Sequence, residues 1–502
     1  MLKSHVIADR DFVVASLDRR LFGTFVEHLG RCVYGGIYEP GHPTADENGF
    51  RGDVLALARE LGVTIVRYPG GNFVSGFDWE DSVGPKAQRP VRLDVAWGST
   101  ETNQFGTNEF IDWCRKAEVE PMFAVNLGTR GPREAQQFLE YCNHPGGTHF
   151  SELRKSHGWE QPHDIRFWCL GNEMDGPWQT GSKTALEYGR IATETAKVMR
   201  WTDEGLVLAV CGSSFCDMPT YGEWEYTVLD QCFEHVDLIS LHQYFENHED
   251  EIDRFLTAID DLQGFITEVA AIADAVAAKR RSVKRIMLSI DEWNVWYRAR
   301  SGEQLRARGW PQAPRLLEEI YNFEDALIVG GALLVMMNAA DRVKSACIAQ
   351  LVNAIAPIMT ETGGPAWRQT IFHPFALASR YGHGEVLRLK VDTGTFAAGR
   401  QTKAPLLVTT VVHDPETGQA TLFALNRSIT EKMALTAELR GLGDRELAEA
   451  FELHHSDLKA INTRDNEHEV SPRAHPAAAL KDGMLTATLK PLSWNVFVTR
   501  RA

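Results

Sequence analysis

The segments IRFWCLGNE (residues 165–173) and RIMLSIDEW (residues 285–293) decide the fold of this chain. Each is a short apolar run that reaches a carboxylate at or near its end. This pattern is typical of a strand that is buried on both faces and whose polar end lies in a loop. Longer segments such as ALEYGRIATETAKVMR (residues 185–200) lie between runs of this kind. Their apolar residues recur three and four positions apart, so each predicts a helix with one face against the sheet.

Apolar runs and amphipathic segments alternate from about residue 20 onward, which indicates βα units and a parallel sheet. Eight such units over roughly 350 residues fit a (β/α)8 TIM barrel with enlarged loops. The predicted strands are LFGTFVEH (21–28), VTIVRYPGG (63–71), PMFAVNLG (121–128), IRFWCLGNE (165–173), LVLAVCGSS (206–214), VDLISLHQY (236–244), RIMLSIDEW (285–293) and GALLVMMNA (331–339).

The pattern changes after about residue 380, where short strand-like segments alternate with turn-forming Gly, Asp, Asn and Pro. Segments such as PLLVTTVVHD (405–414) and QATLFALNRS (419–428) predict an antiparallel, jelly-roll-like β-sandwich. The opening segment VIADRDFVVASLD (6–18) is also strand-like, and we expect it to pair with this sandwich. The predicted domains are therefore a catalytic barrel over residues 19–375 and a sandwich built from residues 1–18 and 376–502.

Composition and charge narrow the classes of function. A net charge of −16 argues against nucleic acid as a partner, because phosphate contacts need clustered Lys and Arg, and it favours a neutral ligand such as a sugar. No apolar run reaches the ~18–20 residues of a membrane span, and charges interrupt the N-terminal segment, so no membrane contact and a cytoplasmic location are expected. The eight cysteines lack CxxC or zinc-type spacing and are expected to be reduced thiols.

Polar residues follow most of the predicted strands. Catalytic groups of such barrels lie at the C-terminal ends of the strands, where the βα loops converge. A single polar residue at a strand end can equally well be a helix cap or a site residue. Polar residues at the ends of six of eight strands are instead expected to face one crevice. The strand-end candidates are Glu27, His28, Arg67, Asn72, Asn126, Asn172, Glu173, His242, Tyr244, Asp291, Glu292 and Gln350.

Glu173 and Glu292 are the carboxylates best placed for catalysis, since each ends an apolar run. Glycoside hydrolysis needs such a pair, because one group protonates the leaving oxygen and the other supplies negative charge at the anomeric carbon. Asn172, beside Glu173, is suited to bind a sugar hydroxyl. The sequence contains no GxSxG elbow, no phosphate loop and no HExxH pattern, so we expect neither a metal nor a cofactor.

Three segments together resemble the α-L-arabinofuranosidases of glycoside hydrolase family 51. They are RYPGGNFVSGFDWEDSVGP (67–85), WCLGNEMDGPWQTG (168–181) and SIDEWNVWY (289–297), and the resemblance covers essentially the whole chain. It implies a retaining exo-α-L-arabinofuranosidase with Glu173 as acid/base and Glu292 as nucleophile. It also implies a cytoplasmic homohexamer. The substrate-binding residues expected from the strand ends and the resemblance are Glu27, Asn72, Asn172, Tyr244, Gln350, His242, Trp97 and Trp296.

The resemblance implies specific roles for several of these residues. Glu27, Asn72 and Asn172 would hold the furanose hydroxyls, and Tyr244 would hydrogen-bond the nucleophile. Gln350 would line the sugar pocket, whereas Trp97 and Trp296 would form its aromatic walls. The implied substrates are arabinan- and arabinoxylan-type oligosaccharides.

Two other readings compete with this one. The first is another retaining activity on the same scaffold, such as a β-xylosidase or an endo-β-glucanase, because loops that the sequence does not display shape the pocket. The second is an inactive sugar-binding protein, which would be expected to lack one of the two catalytic carboxylates. The preferred polymer and linkage remain open at this stage.

Overall fold

Eight parallel strands close into a barrel in the structure, a computed structural model that describes residues 1–297 and 305–502. Each strand pairs in parallel with its neighbours, and the last pairs with the first. The predicted TIM-barrel class is therefore confirmed. The barrel strands, named one to eight in chain order, are Gly23–Phe25, Ile65–Tyr68, Glu120–Val125, Phe167–Leu170, Val207–Cys211, Leu238–Phe245, Met287–Val295 and Val343–Ile348.

Helices follow the barrel strands, and their sequences explain where they begin. The helix Ala185–Thr202 begins after Thr184, whose side chain accepts a hydrogen bond from the backbone N–H of Glu187. The α-helices of the described residues are Gly52–Leu61, Thr107–Ala117, Pro132–Asn143, His149–Ser156, Ala185–Thr202, Glu223–Cys232, Ile252–Lys279, Phe323–Asn338 and Phe372–Tyr381. Within the same residues, no helix has both the length and the apolar content needed to cross a membrane.

The predicted eighth strand, GALLVMMNA (331–339), is wrong. These residues form the second half of the helix Phe323–Asn338, and the eighth strand is Val343–Ile348. The helix is buried all round because it packs between the barrel and the second domain: Gly330 lies against Trp494, and Gly331 against Leu425. A helix that is buried on every side carries no polar stripe, so its apolar run has the appearance of a buried strand.

Two sheets pack together after the barrel, with a separate apolar core between them. The seven-stranded sheet contains, in spatial order, Val13–Ser16, Glu385–Leu387, Leu407–His413, Ala420–Asn426, Ser493–Arg501, Arg445–Leu453 and Arg473–Ala474. The five-stranded sheet contains Lys390–Asp392, Leu2–Asp9, Met433–Gly441, Met484–Leu489 and Ala479–Lys481.

The N-terminal segment contributes one strand to each of these sheets. Val13–Ser16 pairs antiparallel with Glu385–Leu387, whereas Leu2–Asp9 pairs in parallel with Met433–Gly441. All other pairs in the two sheets are antiparallel. The sandwich is thus antiparallel apart from the one pair that the N-terminus makes, a detail that the sequence pattern does not reveal.

Three short hairpins complete the strands of the described residues, namely Arg92–Asp94 with Ser99–Glu101, Ile358–Thr360 with Ala366–Arg368, and Thr395–Ala398 with Gln401–Pro405. The last hairpin extends from the second domain onto the barrel. Its Gln401 donates a 2.8 Å hydrogen bond to Asp261 on the helix Ile252–Lys279, and Arg400 at its tip bonds both carboxylate oxygens of Asp217 at 2.9 Å. The second domain therefore reaches the end of the barrel where the βα loops lie.

Candidate active site

A pocket of about 320 Å3 opens at the C-terminal ends of the barrel strands. It brings together most of the side chains that the sequence singled out, although Glu27 and Gln350 are 323 positions apart along the chain. The predicted residues that line it are Glu27, Asn72, Trp97, Glu173, Tyr244, Glu292, Trp296 and Gln350. Asn172 and His242 are also buried here but lie behind the pocket wall.

Glu173 follows barrel strand four, Phe167–Leu170, at a sharp turn. Gly171 has φ of 92° and Glu173 itself has φ of 44°, a backbone conformation that non-glycine residues rarely adopt outside sites that require it. The turn brings the carboxylate into the pocket. There Oε1 pairs with Nδ1 of His242 at 2.9 Å, and Oε2 accepts a hydrogen bond from the indole N–H of Trp178.

Glu292 lies within barrel strand seven, and its two carboxylate oxygens are held by different donors. Nη1 of Arg67 donates to Oε1 at 2.7 Å, and Oη of Tyr244 donates to Oε2 at 2.9 Å. Burial raises the pKa of Glu292, and the charge of Glu173 raises it further, while His242 and Arg67 act in the opposite direction. Arg67 and Tyr244 thereby orient the carboxylate and stabilise its ionised form.

Glu173 and Glu292 face each other across the pocket. One side-chain oxygen of each lies within 4.8 Å of the other, and a ring nitrogen of His242 lies within the same distance of both. Among the residues that the structure describes, this is the one group with the spacing of metal ligands. Two carboxylates this close can both reach one sugar carbon and its glycosidic oxygen.

His242 is better described as an imidazolium than as a metal ligand. Its Nδ1 lies 2.9 Å from Glu173, and its Nε2 lies 3.1 Å from Asp291. Burial alone would lower the pKa of His242, but the three carboxylates of Glu292, Asp291 and Glu173 raise it well above its ordinary value. A doubly protonated ring has no lone pair to give to a metal.

Glu27 occupies the side of the pocket at the end of barrel strand one. Its oxygens accept hydrogen bonds of 2.9 Å from the backbone N–H of Phe73, the indole of Trp97 and Nε2 of Gln350. Burial raises the pKa of Glu27 to about 8. A Cβ on Gly71 would lie 2.5 Å from Oε2 of this carboxylate, which explains the glycine in the YPGGN segment.

Asn172 packs beneath the pocket. Its Oδ1 accepts a 2.7 Å hydrogen bond from Nη2 of Arg67, and its Nδ2 donates to Gln179 at 3.3 Å. Asn72 lies on the pocket surface, at the start of the short 3-10 helix Asn72–Gly76. Arg67 therefore links Asn172 to Glu292 and aligns barrel strands two, four and seven at the reacting centre.

Three tryptophans enclose the pocket. Trp97 bonds Glu27, and the ring of Trp296 lies edge-on to Tyr244 with 5.1 Å between centroids. Trp178 stands at the rim, with 44% of its surface exposed. Such walls suit the apolar face of a sugar ring, while the carboxylates and amides face its hydroxyls.

Sequence comparisons identify the family. Residues 57–254 match the family model described as α-L-arabinofuranosidase 1 domain, and residues 291–493 match the α-L-arabinofuranosidase C-terminal domain. An intracellular exo-α-(1→5)-L-arabinofuranosidase of Halalkalibacterium halodurans is 51% identical over 99% of this chain and 98% of its own length. The chain belongs to the α-L-arabinofuranosidase family.

Two proteins of Bifidobacterium longum extend the comparison for this arabinofuranosidase. An exo-α-(1→6)-L-arabinofuranosidase is 48% identical over 98% of this chain and 96% of its own length. The structure of a family 51 α-L-arabinofuranosidase superposes with a TM-score of 0.95 at 44% identity, and each chain is covered completely. The resemblance to family 51 seen in the sequence is therefore confirmed over the whole chain.

Three residues of the arabinofuranosidase site received no role from the sequence. Arg67 and Asp291 were among the polar strand ends, but only the folded barrel reveals that they hold Glu292 and His242. Trp178 lies five residues after Glu173, inside the segment MDGPWQTG. An aromatic residue so close in sequence to a catalytic carboxylate could have indicated that it belongs to the site.

Proposed function

We propose that this chain removes terminal, non-reducing α-L-arabinofuranosyl residues from arabinan- and arabinoxylan-type oligosaccharides with retention of configuration. The observation that carries the proposal is the spacing of Glu173 and Glu292. One carboxylate oxygen of Glu173 lies within 4.8 Å of a carboxylate oxygen of Glu292. Retaining glycosidases hold their carboxyl groups about 5–5.5 Å apart, whereas inverting enzymes need about 6.5–9.5 Å to admit a water molecule. The short separation supports direct attack by a carboxylate.

In the proposed first step, Oε2 or Oε1 of Glu292 attacks the anomeric carbon and the glycosidic C–O bond breaks. Glu173, which must be protonated when the substrate is bound, gives this proton to the departing oxygen, so the leaving sugar is released as an alcohol and an arabinosyl-enzyme ester remains. In the second step Glu173 takes a proton from water, and the resulting hydroxide attacks the same carbon. The ester bond breaks, Glu292 is regenerated as a carboxylate, and arabinose leaves with its original configuration.

We propose the remaining pocket residues as the binding site for one furanose. Glu27, Asn72 and Gln350 offer acceptors and donors to its hydroxyls, and Trp97 and Trp296 enclose its apolar edges. Asn172 and His242, which lie behind the wall, are better suited to hold Arg67 and Glu173 in position than to contact the sugar themselves. Tyr244 orients the nucleophile.

A pocket of about 320 Å3 at the barrel mouth favours cleavage of single terminal residues over cleavage within a polymer. The relatives from Halalkalibacterium halodurans and Bifidobacterium longum are named exo-enzymes for α-(1→5) and α-(1→6) linkages, respectively. We infer that the exo mode is shared and that linkage preference varies among these relatives. A series of α-(1→2), α-(1→3), α-(1→5) and α-(1→6) disaccharides would rank the linkages for this chain.

We also propose that the enzyme acts inside the cell as a homohexamer, with residues 19–375 as the catalytic barrel and residues 1–18 and 376–502 as the sandwich domain. The word intracellular in the name of the Halalkalibacterium halodurans relative supports the location. Such an enzyme would act on short imported oligosaccharides. Light scattering coupled to gel filtration measures the assembly directly: a mass six times that of the 56.2 kDa chain is expected.

Hydrolysis of 4-nitrophenyl α-L-arabinofuranoside by the wild type, Glu173→Ala and Glu292→Ala tests the proposed roles. Added azide should rescue Glu173→Ala and give α-L-arabinofuranosyl azide, because azide replaces water in the second step and retention persists. Any rescue of Glu292→Ala should give the β-azide, because azide then replaces the nucleophile. Exchanged anomers would reverse the two roles. Turnover of the matching β-xyloside but not of the arabinofuranoside would contradict the substrate.

A further inference from the structure

The strand-end residue His28 is buried but does not line the catalytic pocket. Its imidazole ring has a polar partner at each nitrogen. Nδ1 lies 2.8 Å from Oε2 of Glu101, and Nε2 lies 2.8 Å from Oη of Tyr68. The ring also stacks on Phe73, with 4.7 Å between centroids and 26° between planes. The position of the ring is therefore fixed from three sides.

The partner of His28, Glu101, lies at the base of a two-stranded hairpin, which we call the wall hairpin (residues 92–101). Glu101 is only 6% exposed, and its Oε1 accepts hydrogen bonds from Oη of Tyr34 and from the backbone N–H of Asn103. Burial alone would raise the pKa of Glu101, but His28 and these two donors lower it below its ordinary value. An ionised carboxylate thus attaches the base of the hairpin to His28.

The tip of the wall hairpin carries Trp97, which lines the catalytic pocket. Its indole N–H donates a 2.9 Å hydrogen bond to Oε1 of Glu27. The carboxylate of Asp94 accepts hydrogen bonds from the backbone N–H groups of Ala96 and Trp97, at 3.0 and 3.3 Å. It also accepts a 2.9 Å hydrogen bond from Oγ of Ser99, so it ties the two strands together at the turn. We therefore expect the base and the tip of the hairpin to move as one unit.

Two consecutive residues after barrel strand one hold the wall hairpin at both of its ends. Glu27 binds the tip, and His28 binds the base. Other hydrogen bonds of the hairpin lie at the surface, such as those between Arg92 and Asp81. An exposed pair of this kind contributes little, because water competes for both groups. Breaking the buried contact of His28 would instead leave a buried charge without its partner, so the base of the hairpin would move to reach water.

We propose that the contact between His28 and Glu101 keeps Trp97 in place as a preformed wall of the catalytic pocket before the sugar arrives. His28 and Glu101 are then positioning residues, which act through Trp97 and do not touch the sugar. A wall that is already ordered in the free enzyme lowers the ordering cost of binding. The proposal rests on the proposed function only in taking an arabinofuranose as the sugar that this wall receives.

Four variants separate this role from a general contribution to folding. His28→Leu removes the contact with Glu101 but keeps an apolar side chain against the ring of Phe73. Glu101→Gln removes the charge and keeps the size of the side chain, so it serves if the first variant does not fold. Tyr68→Phe is the matched control, because it removes the other hydrogen bond of the same imidazole and leaves the hairpin attached. Trp97→Ala removes the wall itself.

Amide hydrogen exchange of the wall hairpin, measured without substrate, tests the attachment directly. Exchange within residues 92–101 should be about tenfold faster in His28→Leu and about threefold faster in Glu101→Gln, because the hairpin opens more often. Tyr68→Phe should exchange there at the wild-type rate. This measurement does not depend on any activity. Wild-type exchange in both variants of the pair would overturn the proposal.

Kinetics on 4-nitrophenyl α-L-arabinofuranoside test the consequence for binding. If the wall of His28→Leu is in place only about a tenth of the time, KM rises about tenfold and kcat stays within about twofold of wild type. In the Trp97→Ala background the same change should alter KM by less than about twofold, since no wall remains to be positioned. Equal increases in both backgrounds, or a lower kcat at unchanged KM, would overturn the proposal. Wild-type inactivity would instead refute the proposed function, and hydrogen exchange would still decide the role of His28.

Discussion

Oη of Tyr244 donates a 2.9 Å hydrogen bond to Oε2 of Glu292, the oxygen that Arg67 leaves unbonded. Each oxygen of this carboxylate thus has its own donor, one neutral and one charged. The arrangement fixes the plane of the carboxylate in the pocket. Because the tyrosine also lies edge-on to Trp296, its ring is held in place independently of the hydrogen bond.

Tyr244→Phe should therefore lower activity without disturbing the pocket wall. Loss of one hydrogen bond to a charged group costs about 1.5–3 kcal/mol, which corresponds to a decrease of about 10–100-fold in kcat/KM. The decrease should appear in kcat for 4-nitrophenyl α-L-arabinofuranoside, with KM little changed, because the sugar contacts remain. An unchanged melting temperature is the control. A variant with wild-type kcat would show that Tyr244 does not orient the nucleophile.

His242→Gln should shift the acidic limb of the pH–rate profile to higher pH. His242 is the cation between Glu173, Asp291 and Glu292, and its charge lowers the pKa of Glu292. Gln keeps a donor for Glu173 but removes that charge, so ionised Glu292 becomes less stable and its pKa rises.

The expected shift in the profile of kcat/KM is about one pH unit, since an opposite charge within contact distance typically changes a carboxyl pKa by one unit or more. The profile separates this effect from a loss of structure, which would reduce activity equally at every pH. An acidic limb that stays at its wild-type position would contradict the assignment of a positive charge to His242.

Most of the barrel could be predicted because its strands are short apolar runs with polar ends, as in Leu238–Phe245. The eighth strand was missed because two adjacent polar residues, Lys344 and Ser345, interrupt its short apolar run. Ser345 is fully buried, and its hydroxyl is 2.6 Å from that of Ser289 on the neighbouring strand. The hydrogen-bond partner of Ser345 is fifty-six positions away, so the sequence alone suggests that this serine is exposed. The buried helix Phe323–Asn338, in contrast, has the apolar pattern of a strand.

The site residues could be collected from the sequence, but the contacts among them could not. Strand ends and the family resemblance pointed to both carboxylates and to His242. Whether a strand-end side chain reaches the pocket or lies behind its wall depends on its tertiary partners. His242 lies behind the pocket wall, where its ring is bonded to Asp291. Asn172 also lies there and accepts a hydrogen bond from Arg67. Sequence spacing carries no information about such partners.

His163→Gln should make the protein more resistant to mild acid. His163 is buried, and its Nε2 lies 2.8 Å from Oδ1 of Asn108. Burial, with smaller effects from Arg115 and Arg154, lowers the pKa of His163 from 6.5 to about 3. The unfolded chain therefore binds a proton below pH 6.5 that the folded protein does not bind until about pH 3, so stability falls as pH decreases through this window.

Gln keeps a donor for Asn108 and does not titrate. As the pH falls from 6.5 to 4.5, the wild type should lose about 2 kcal/mol of unfolding free energy because of His163. The His163→Gln variant should not show this loss. Melting temperatures of both proteins, measured at half-unit steps over this range, should diverge toward acid. Parallel curves would show that His163 is not held neutral in the folded protein.

Two helical glycines should respond to alanine with opposite signs. A Cβ on Gly330 would lie 2.7 Å from the buried ring of Trp494, in the helix that separates the barrel from the sandwich, whereas a Cβ on Gly264 would meet no atom within 4 Å. Gly264→Ala should stabilise by up to about 1 kcal/mol through helix propensity, and Gly330→Ala should destabilise by about 1–3 kcal/mol through overpacking. Thermal denaturation compares them directly, and chromogenic activity at 25 °C serves as the control for a native fold. A higher melting temperature for Gly330→Ala would mean that Trp494 can move aside, so that the helix does not need a glycine to let the second domain approach the barrel.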